Sequence, residues 1–389
     1  MELYVHFPFC KQKCRYCDFP SFAGLEDRME AYVSALLEEA RLRADEISCP
    51  VETVYFGGGT PSLLPASLLE KCIKGLKQLL PLDHVLEWTV EANPGTLNEL
   101  WLETALEGGI NRLSLGAQAF QPRLLNLLGR IHGPEEIQQG VRLARNAGFQ
   151  NVSLDLIFGL PTQTRAEWQN TLDSTLSLSP QHISAYGLIP EEGTPLRKDL
   201  DDGIIRLPKV ETERDMYGDL LEILSAAGYA QYEISNFARP GFACRHNIGY
   251  WRQTPYVGLG LSAASMGIPQ RQDGLILGYL RCTNTADLAE YLQGAATGHP
   301  VLAEKEWVDG KEAMFETMML GLRMNEGVSD ALFRSLHGRC MSDVPGLLDA
   351  LQQQAARGLL VWEDECWKLT RAGMDLQNTV LVDLMDLFE

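Results

Sequence analysis

Along the first half of the chain, short apolar runs alternate with longer stretches in which apolar residues recur every three or four positions. The runs are "LYVHF" (3–7), "TVYF" (53–56), "WTVEA" (88–92), "RLSLGAQ" (112–118), "NVSLDLIFG" (151–159) and "HISAYGL" (182–188). Their length and their Val, Leu and aromatic content predict buried parallel strands. Between the first two, Met29, Tyr32, Val33, Leu36, Leu37 and Ala40 fall at i, i+3, i+4, i+7, i+8 and i+11, one apolar stripe of a helix laid on a sheet. Similar stripes predict helices over 66–79, 98–107, 134–147 and 165–178. Six strand–helix units in succession make an α/β fold, a parallel barrel or a doubly wound sheet. Both place ligand sites at the carboxyl ends of the strands.

The rhythm changes near residue 190. "EEGTPLRKDLDDGIIRLP" is polar and proline-bounded, a loop before a helix over 209–226, and "YEISNFA" is one further strand ahead of a glycine-rich passage at 256–267. From Pro300 onward, short helices over 308–322, 329–336 and 344–356 precede "GLLVWEDECWKLTRAGM", a hairpin followed by a last helix. Helices followed by a hairpin are winged-helix-like. The expected domains are a barrel over 1–195, a barrel-extending α/β region over 196–299 and a smaller α+β, winged-helix-like domain over 300–389.

Composition narrows the partners. The 389 residues are 45% hydrophobic, enough for a large core, and carry a formal charge of −19. Such a chain repels a phosphate backbone, and "VWEDEC" is acidic where a DNA-binding wing would be basic, so nucleic acid is excluded and a lid or partner surface is expected. Met1 leads directly into an apolar strand with no basic region and signal core, and Gly, Pro or charge breaks every apolar run; a cytoplasmic protein is expected. "TVLVDLMDLF" at the end reads as a packed terminal helix, with room for transient membrane association but not for stable insertion. Of nine cysteines, those at 49, 72, 244, 282, 340 and 366 are scattered singly and read as reduced thiols.

The other three stand together in "CKQKCRYCDF": Cys10, Cys14 and Cys17, spaced C-x3-C-x2-C on the loop after the first strand. A structural zinc site takes four ligands, usually as two pairs; no second pair follows, and His6, the nearest completion, sits in a strand. An iron–sulfur cluster held by three thiolates keeps one iron open to a ligand. The remaining strand ends carry "GGGTPS" (57–62), Glu91, Gln118, Asp155 and Tyr186. "GGGTPS" lacks the Gly-Lys-Ser/Thr of a phosphate loop, and a carboxylate at a buried strand end can simply brace a neighbouring loop.

Together these features resemble the radical S-adenosylmethionine (SAM) superfamily. The resemblance implies a [4Fe–4S] cluster on Cys10, Cys14 and Cys17, with SAM chelating the open iron and "GGGTP" running beside it, in a partial parallel (β/α)6 barrel. "YVHFPFC", "YFGGGTPSLL", "VEANPGT", "LGRIHGPEE" and "LDLIFGLPTQT" are similar to the oxygen-independent coproporphyrinogen III oxidase (HemN-like) group. That likeness implies SAM contacts from Tyr4, Tyr16, Gly58, Gly59, Thr60, Glu91, Gln118, Arg130 and Asp155. Within the group, the decarboxylating oxidases carry a further cysteine where Phe19 stands and a long arm ahead of the cluster loop, whereas here nine residues precede Cys10. "HNIGYW" resembles the H-N-x-x-Y-W motif of the HemW-type haem chaperones, implying haem on His246, Tyr250 and Trp251, next to Asn247. Leu261, Ser262, Ala263, Ala264 and Ser265 depart from the chaperone pattern toward the oxidase one. The resemblance therefore implies a haem chaperone that delivers haem to respiratory or other haem-dependent proteins, as monomer or dimer. The enzyme alternatives are the coproporphyrinogen oxidase and another porphyrin-directed radical SAM enzyme, and the resemblance leaves open whether the chain is an enzyme.

Overall fold

The computed structural model describes residues 1–388. Strands β1 (Glu2–Phe7), β2 (Thr53–Gly58), β3 (Glu87–Ala92), β4 (Arg112–Gln118), β5 (Asn151–Phe158) and β6 (His182–Gly187) lie side by side in chain order, all parallel. Helices α1 (Met29–Leu42), α2 (Ala66–Leu79), α3 (Glu99–Glu107), α4 (Pro134–Ala147), α5 (Arg165–Ser177) and α6 (Val210–Ala226) connect and cover them. The sheet has two ends rather than closing on itself, so the barrel is partial.

Alternation along each strand divides this barrel into two chemistries. Leu3, Val5 and Phe7, Val54 and Phe56, Trp88 and Val90, Leu113 and Leu115, and Leu154 and Leu156 join the main apolar cluster with the helices. The intervening positions are polar and aligned across the strands: Glu2 with Thr53 and Glu87; Tyr4 with Tyr55, Thr89 and Arg112; Glu91 with Ser114, Ser153 and His182. The inner face of the sheet is thus lined with hydrogen-bonding groups, and buried polar groups need partners.

The sheet grows at both ends. A hairpin, β7 (Ala230–Glu233) and β8 (Asn236–Ala238), adds antiparallel to β6, so "YEISNFA" is a turn between two strands rather than one strand. After helix α7 (Arg245–Trp251), strand β9 (Tyr256–Leu259) lies parallel to β1 on its free side. The glycine-rich passage therefore contributes to the sheet. Strands β10 (Ala264–Met266), β11 (Gln270–Gln272), β12 (Leu275–Asn284) and β13 (Leu302–Asp309) extend it antiparallel to a total of 13 strands among the described residues, taking in residues on both sides of position 300. Their apolar positions are too sparse to stand out in the sequence: β13 is exposed except for Val308. The polar stretch after residue 190 holds a helix, Pro195–Asp201, started by Pro at its first position and by Thr194 Oγ1 accepting from Arg197 N at 3.2 Å.

The last part has its own core, with Phe333, Leu347, Leu351, Val380 and Leu384 at its centre. Helices Gly310–Gly321, Asp330–His337 and Leu347–Ala356 surround a three-stranded sheet in which Leu360–Glu363 and Cys366–Leu369 form the hairpin. The final helix is split into Arg371–Asp375 and Gln377–Met385. No helix among the described residues is long and apolar enough to cross a membrane.

Candidate functional site

Cys10, Cys14 and Cys17 are free thiols, half-buried on the loop that leaves β1. A two-residue parallel bridge of Phe9–Cys10 with Phe22–Ala23 ties the loop's two ends together. Its middle is pinned by Arg15 N donating to Leu128 O at 2.9 Å and by an Arg15–Asp199 ion pair. Thr60 Oγ1 donates to Cys10 Sγ at 3.6 Å, and Arg130 Nη1 to Cys14 Sγ at 3.4 Å. Burial pushes the Cys17 thiol up to about 11. Sulfurs in such a place become thiolates when a cationic centre binds them.

The glycine turn is held against this loop. Gly59 N donates to Phe7 O at 2.8 Å, and a Cβ on Gly59 would lie 2.7 Å from Phe9 O. Gly58 has φ +106°, and a Cβ there would lie 2.4 Å from His6 Cε1; only glycine fits both the conformation and the gap. His6 Nε2 faces Pro20 O at 2.8 Å, which can only accept, so Nε2 donates and Nδ1 accepts from Tyr4 OH at 3.0 Å. Burial lowers the His6 pKa, consistent with that neutral ring.

Two carboxyls lie deeper along the strands. Glu91 accepts from Tyr55 OH at 2.8 Å and Gly58 N at 3.1 Å, and burial raises it to about 7. Asp155 accepts from Ser114 Oγ at 3.0 Å and is also raised by burial. Gln118 has φ +66° at a register break between β4 and β5, a conformation that turns its side chain out of the strand's alternation. Arg130 donates to Gly116 O and to Asn93 Oδ1, the latter at 2.8 Å, while its buried Nε has no partner among the described residues. Asn93 Nδ2 in turn donates to Thr60 Oγ1 at 2.9 Å. Tyr16 packs against the apolar cluster of Leu124, Leu128 and Ile157, and Tyr186 is exposed. Cys14, Thr60, Asn93, Arg130 and His132 line a small opening with a cavity volume of about 20 Å³. Thr60 and Arg130 are thus hydrogen-bonded to the thiols and Glu91 to the glycine turn, while Gln118, Asp155 and Tyr186 stand on the neighbouring parallel strands.

The radical SAM superfamily model matches residues 4–175, and the HemN C-terminal domain model matches residues 308–376. The haem chaperone HemW of Synechocystis sp. is 40% identical over 86% of this chain and 80% of its own length. That of Escherichia coli is 35% identical over 98% of this chain and 97% of its own. The chain belongs to the HemW family. The solved structure of the Escherichia coli coproporphyrinogen III oxidase HemN superimposes with a TM-score of 0.84 at 23% identity, covering 98% of this chain and 89% of that one, a likeness of fold.

Radical SAM proteins carry a [4Fe–4S] cluster and SAM, and the rim of this HemW-family chain fits both. Three free, half-buried thiols share one short loop, an arginine keeps an orphaned buried Nε beside them, and two glycines occupy positions where any side chain would collide.

The haem assignment for His246, Tyr250 and Trp251 meets a different geometry. His246 is 1% exposed at the amino end of the barrel, with Nδ1 2.8 Å from Thr53 Oγ1 and Nε2 2.9 Å from Tyr250 OH. Its ring stacks on Tyr55 at 5.1 Å, its backbone N donates to Glu87 Oε1 at 3.2 Å, and burial lowers it to about 3. Both nitrogens are occupied, so no lone pair is open to an iron. Trp251 lies under Arg323 at 4.5 Å and Asn247 is half-buried in the same helix. In this structure α7 plugs the amino end of the partial barrel, and the three residues are its internal contacts.

Sequence reasoning overlooked Asn93, Tyr55 and His6 as parts of the rim. Asn93 stands inside "VEANPGT", and its adjacency to Glu91 at a strand end was the available signal. Tyr55 and His6 sit in strand runs, where only the period-2 alternation marks them as inward-facing.

Proposed function

We propose that this chain binds haem and delivers it to haem-dependent proteins such as respiratory enzymes, using a [4Fe–4S] cluster and SAM at the carboxyl-end rim. The likeness to haem chaperones HemW over nearly the whole chain carries this proposal. Phe19 in place of a fourth cysteine supports it against the decarboxylase reading.

In this proposal Cys10, Cys14 and Cys17 hold the cluster and leave one iron for SAM. When bound, the pair supplies one-electron reductive cleavage of a sulfonium. The chain's own groups bind and orient. Arg130 offers its unsatisfied edge to a carboxylate. Glu91, Gln118 and Asp155 are placed to hold hydroxyls. Gly58, Gly59 and Thr60 give a close backbone wall, and Tyr4 and Tyr16 brace the two sides of the turn and loop.

The test is anaerobic titration of haem into the cluster-loaded full chain, followed by mixing with an apo-haem protein. Expected are stoichiometric uptake and transfer, no carbon dioxide from coproporphyrinogen III, and an iron content that falls at least tenfold in a Cys10→Ala, Cys14→Ala, Cys17→Ala variant. Carbon dioxide release, or the absence of haem uptake, would overturn the proposal.

A further inference from the structure

A second and larger opening lies at the other end of the barrel. Its cavity volume is about 350 Å³, against about 20 Å³ beside Cys14. Met1, Glu2, Glu52, Arg245, Ile248 and Arg252 line it, so it sits where β1 and β2 begin, on the outer side of the plug helix α7. Strand β1 spans six residues, which puts the two openings about 20 Å apart at ~3.3 Å per residue. Pockets for drug-sized molecules run from about 300 to 1,000 Å³. Of the two openings, the amino-end one reaches this range, and it is open enough to solvent for a larger ligand to lodge with one edge exposed.

Its wall is chemically uneven. Arg245 is exposed, and among the described residues its guanidinium meets no carboxylate within ion-pair distance. Arg252 pairs with Glu326 through Nε and Nη2 at 2.7–2.9 Å, which leaves Nη1 unused. Ile248 gives a half-buried apolar contact between the two arginines, and next to it helix and strand approach so closely that a Cβ on Gly249 would collide with the Glu2 carboxyl. Glu2 is 3% exposed and its Oε2 has no hydrogen-bond partner among the described residues. Burial raises this carboxyl to about 9, so at neutral pH it carries a proton that it can donate. Two arginines, a protonated acid and the apolar Ile248, with the exposed carboxylate of Glu52 at the edge, match an apolar molecule with anionic arms held on the arginine side.

We propose that the haem cargo lodges in this amino-end cavity, its macrocycle on Ile248 and Gly249 and its propionates on Arg245, Arg252 and Glu2. This rests on the chaperone reading above and goes beyond it by giving the cargo a place. His246 then serves as a positioning residue behind the wall: its Nδ1 holds Thr53, which also lines the cavity, and lies 4.0 Å from Glu2 Oε2. Cargo and cluster occupy opposite ends of one barrel, so SAM and haem bind together without competing.

The test titrates haem and haem dimethyl ester, whose propionates are uncharged, into the cluster-loaded full chain. R245E weakens haem binding at least tenfold and E52K strengthens it about threefold or more; neither changes the affinity for the ester, and SAM affinity by calorimetry stays that of the wild type. Unchanged haem affinity in both variants, or equal changes for haem and ester, would overturn the placement while leaving the chaperone function standing. Failure of the wild type to take up haem would overturn that function and this placement with it.

Discussion

His246 carries its weight through neutrality. The ring is stacked on Tyr55, bonded on both nitrogens and held near pKa 3 by burial, whereas an unfolded chain protonates it near 6.5. Between those values the unfolded state binds one more proton than the folded state, so stability falls as pH drops below about 6.5, by about 1.4 kcal/mol per pH unit. Replacing the ring by glutamine removes that proton. His246→Gln, measured by urea unfolding between pH 6.5 and 5, is expected to lose stability at pH 7 and to show an acid slope smaller by one proton than the wild type; an identical slope would refute the buried neutral ring. The same residue shows what a motif can hide. "HNIGYW" is legible in the chain, but which atoms its imidazole faces depends on Thr53, contributed from nearly two hundred positions away. The cysteines needed no such help, because their spacing alone puts three sulfurs on one loop.

At the scale of the element, the turn after β2 decides whether the rim exists. Gly58 combines a left-handed φ with a gap already filled by the His6 ring, and that ring is fixed by Tyr4 and Pro20. Gly58→Ala is expected to cost about 1–3 kcal/mol and to displace His6, weakening SAM binding at least tenfold by calorimetry. Gly24, at φ +75° with nothing within 4 Å of where a Cβ would stand, is the control: Gly24→Ala costs about 1 kcal/mol of backbone strain and leaves SAM affinity unchanged. Equal effects at the two sites would mean that the gap, as distinct from the conformation, is unimportant. The predicted barrel helices and strands match the structure closely because each buries one continuous stripe or run. Strand β13 escaped detection because it is exposed at every position but Val308 and so carries no apolar run, and "YEISNFA" reads as one strand because the turn that splits it into the hairpin β7–β8 carries no glycine or proline to mark it.

The whole molecule is joined where α7 meets the C-terminal part. Glu233 is fully buried and receives Arg323 Nε at 2.7 Å; Arg323 also covers Trp251, and Gln253 Nε2 donates to Ala313 O at 3.2 Å. A few residues away, Arg252 and Glu326 form an exposed pair at 2.7 Å. The two ion pairs have the same chemistry and different surroundings. Removing Arg323 leaves a buried carboxylate uncompensated, which costs about 3–5 kcal/mol; removing Arg252 costs about 1 kcal/mol or less. Thermal melts of Arg323→Ala and Arg252→Ala are therefore expected to differ clearly, with the first showing early loss of the C-terminal part as a separate transition. Equal melting temperatures would show that Glu233 finds another partner.

The sequence alone determined what is local or periodic: three thiols within eight positions, glycines after an apolar run, and strand–helix alternation whose carboxyl ends had to share a rim. Tertiary structure decided what depends on distant chain segments meeting. It closed the amino end of the barrel with α7, turned a motif histidine into a buried contact of Thr53 and Tyr250, and opened a cavity beside Glu2 on the far side. The physical reason is that covalent spacing places ligands on one loop, whereas burial and the supply of hydrogen-bond partners are properties of the packed chain.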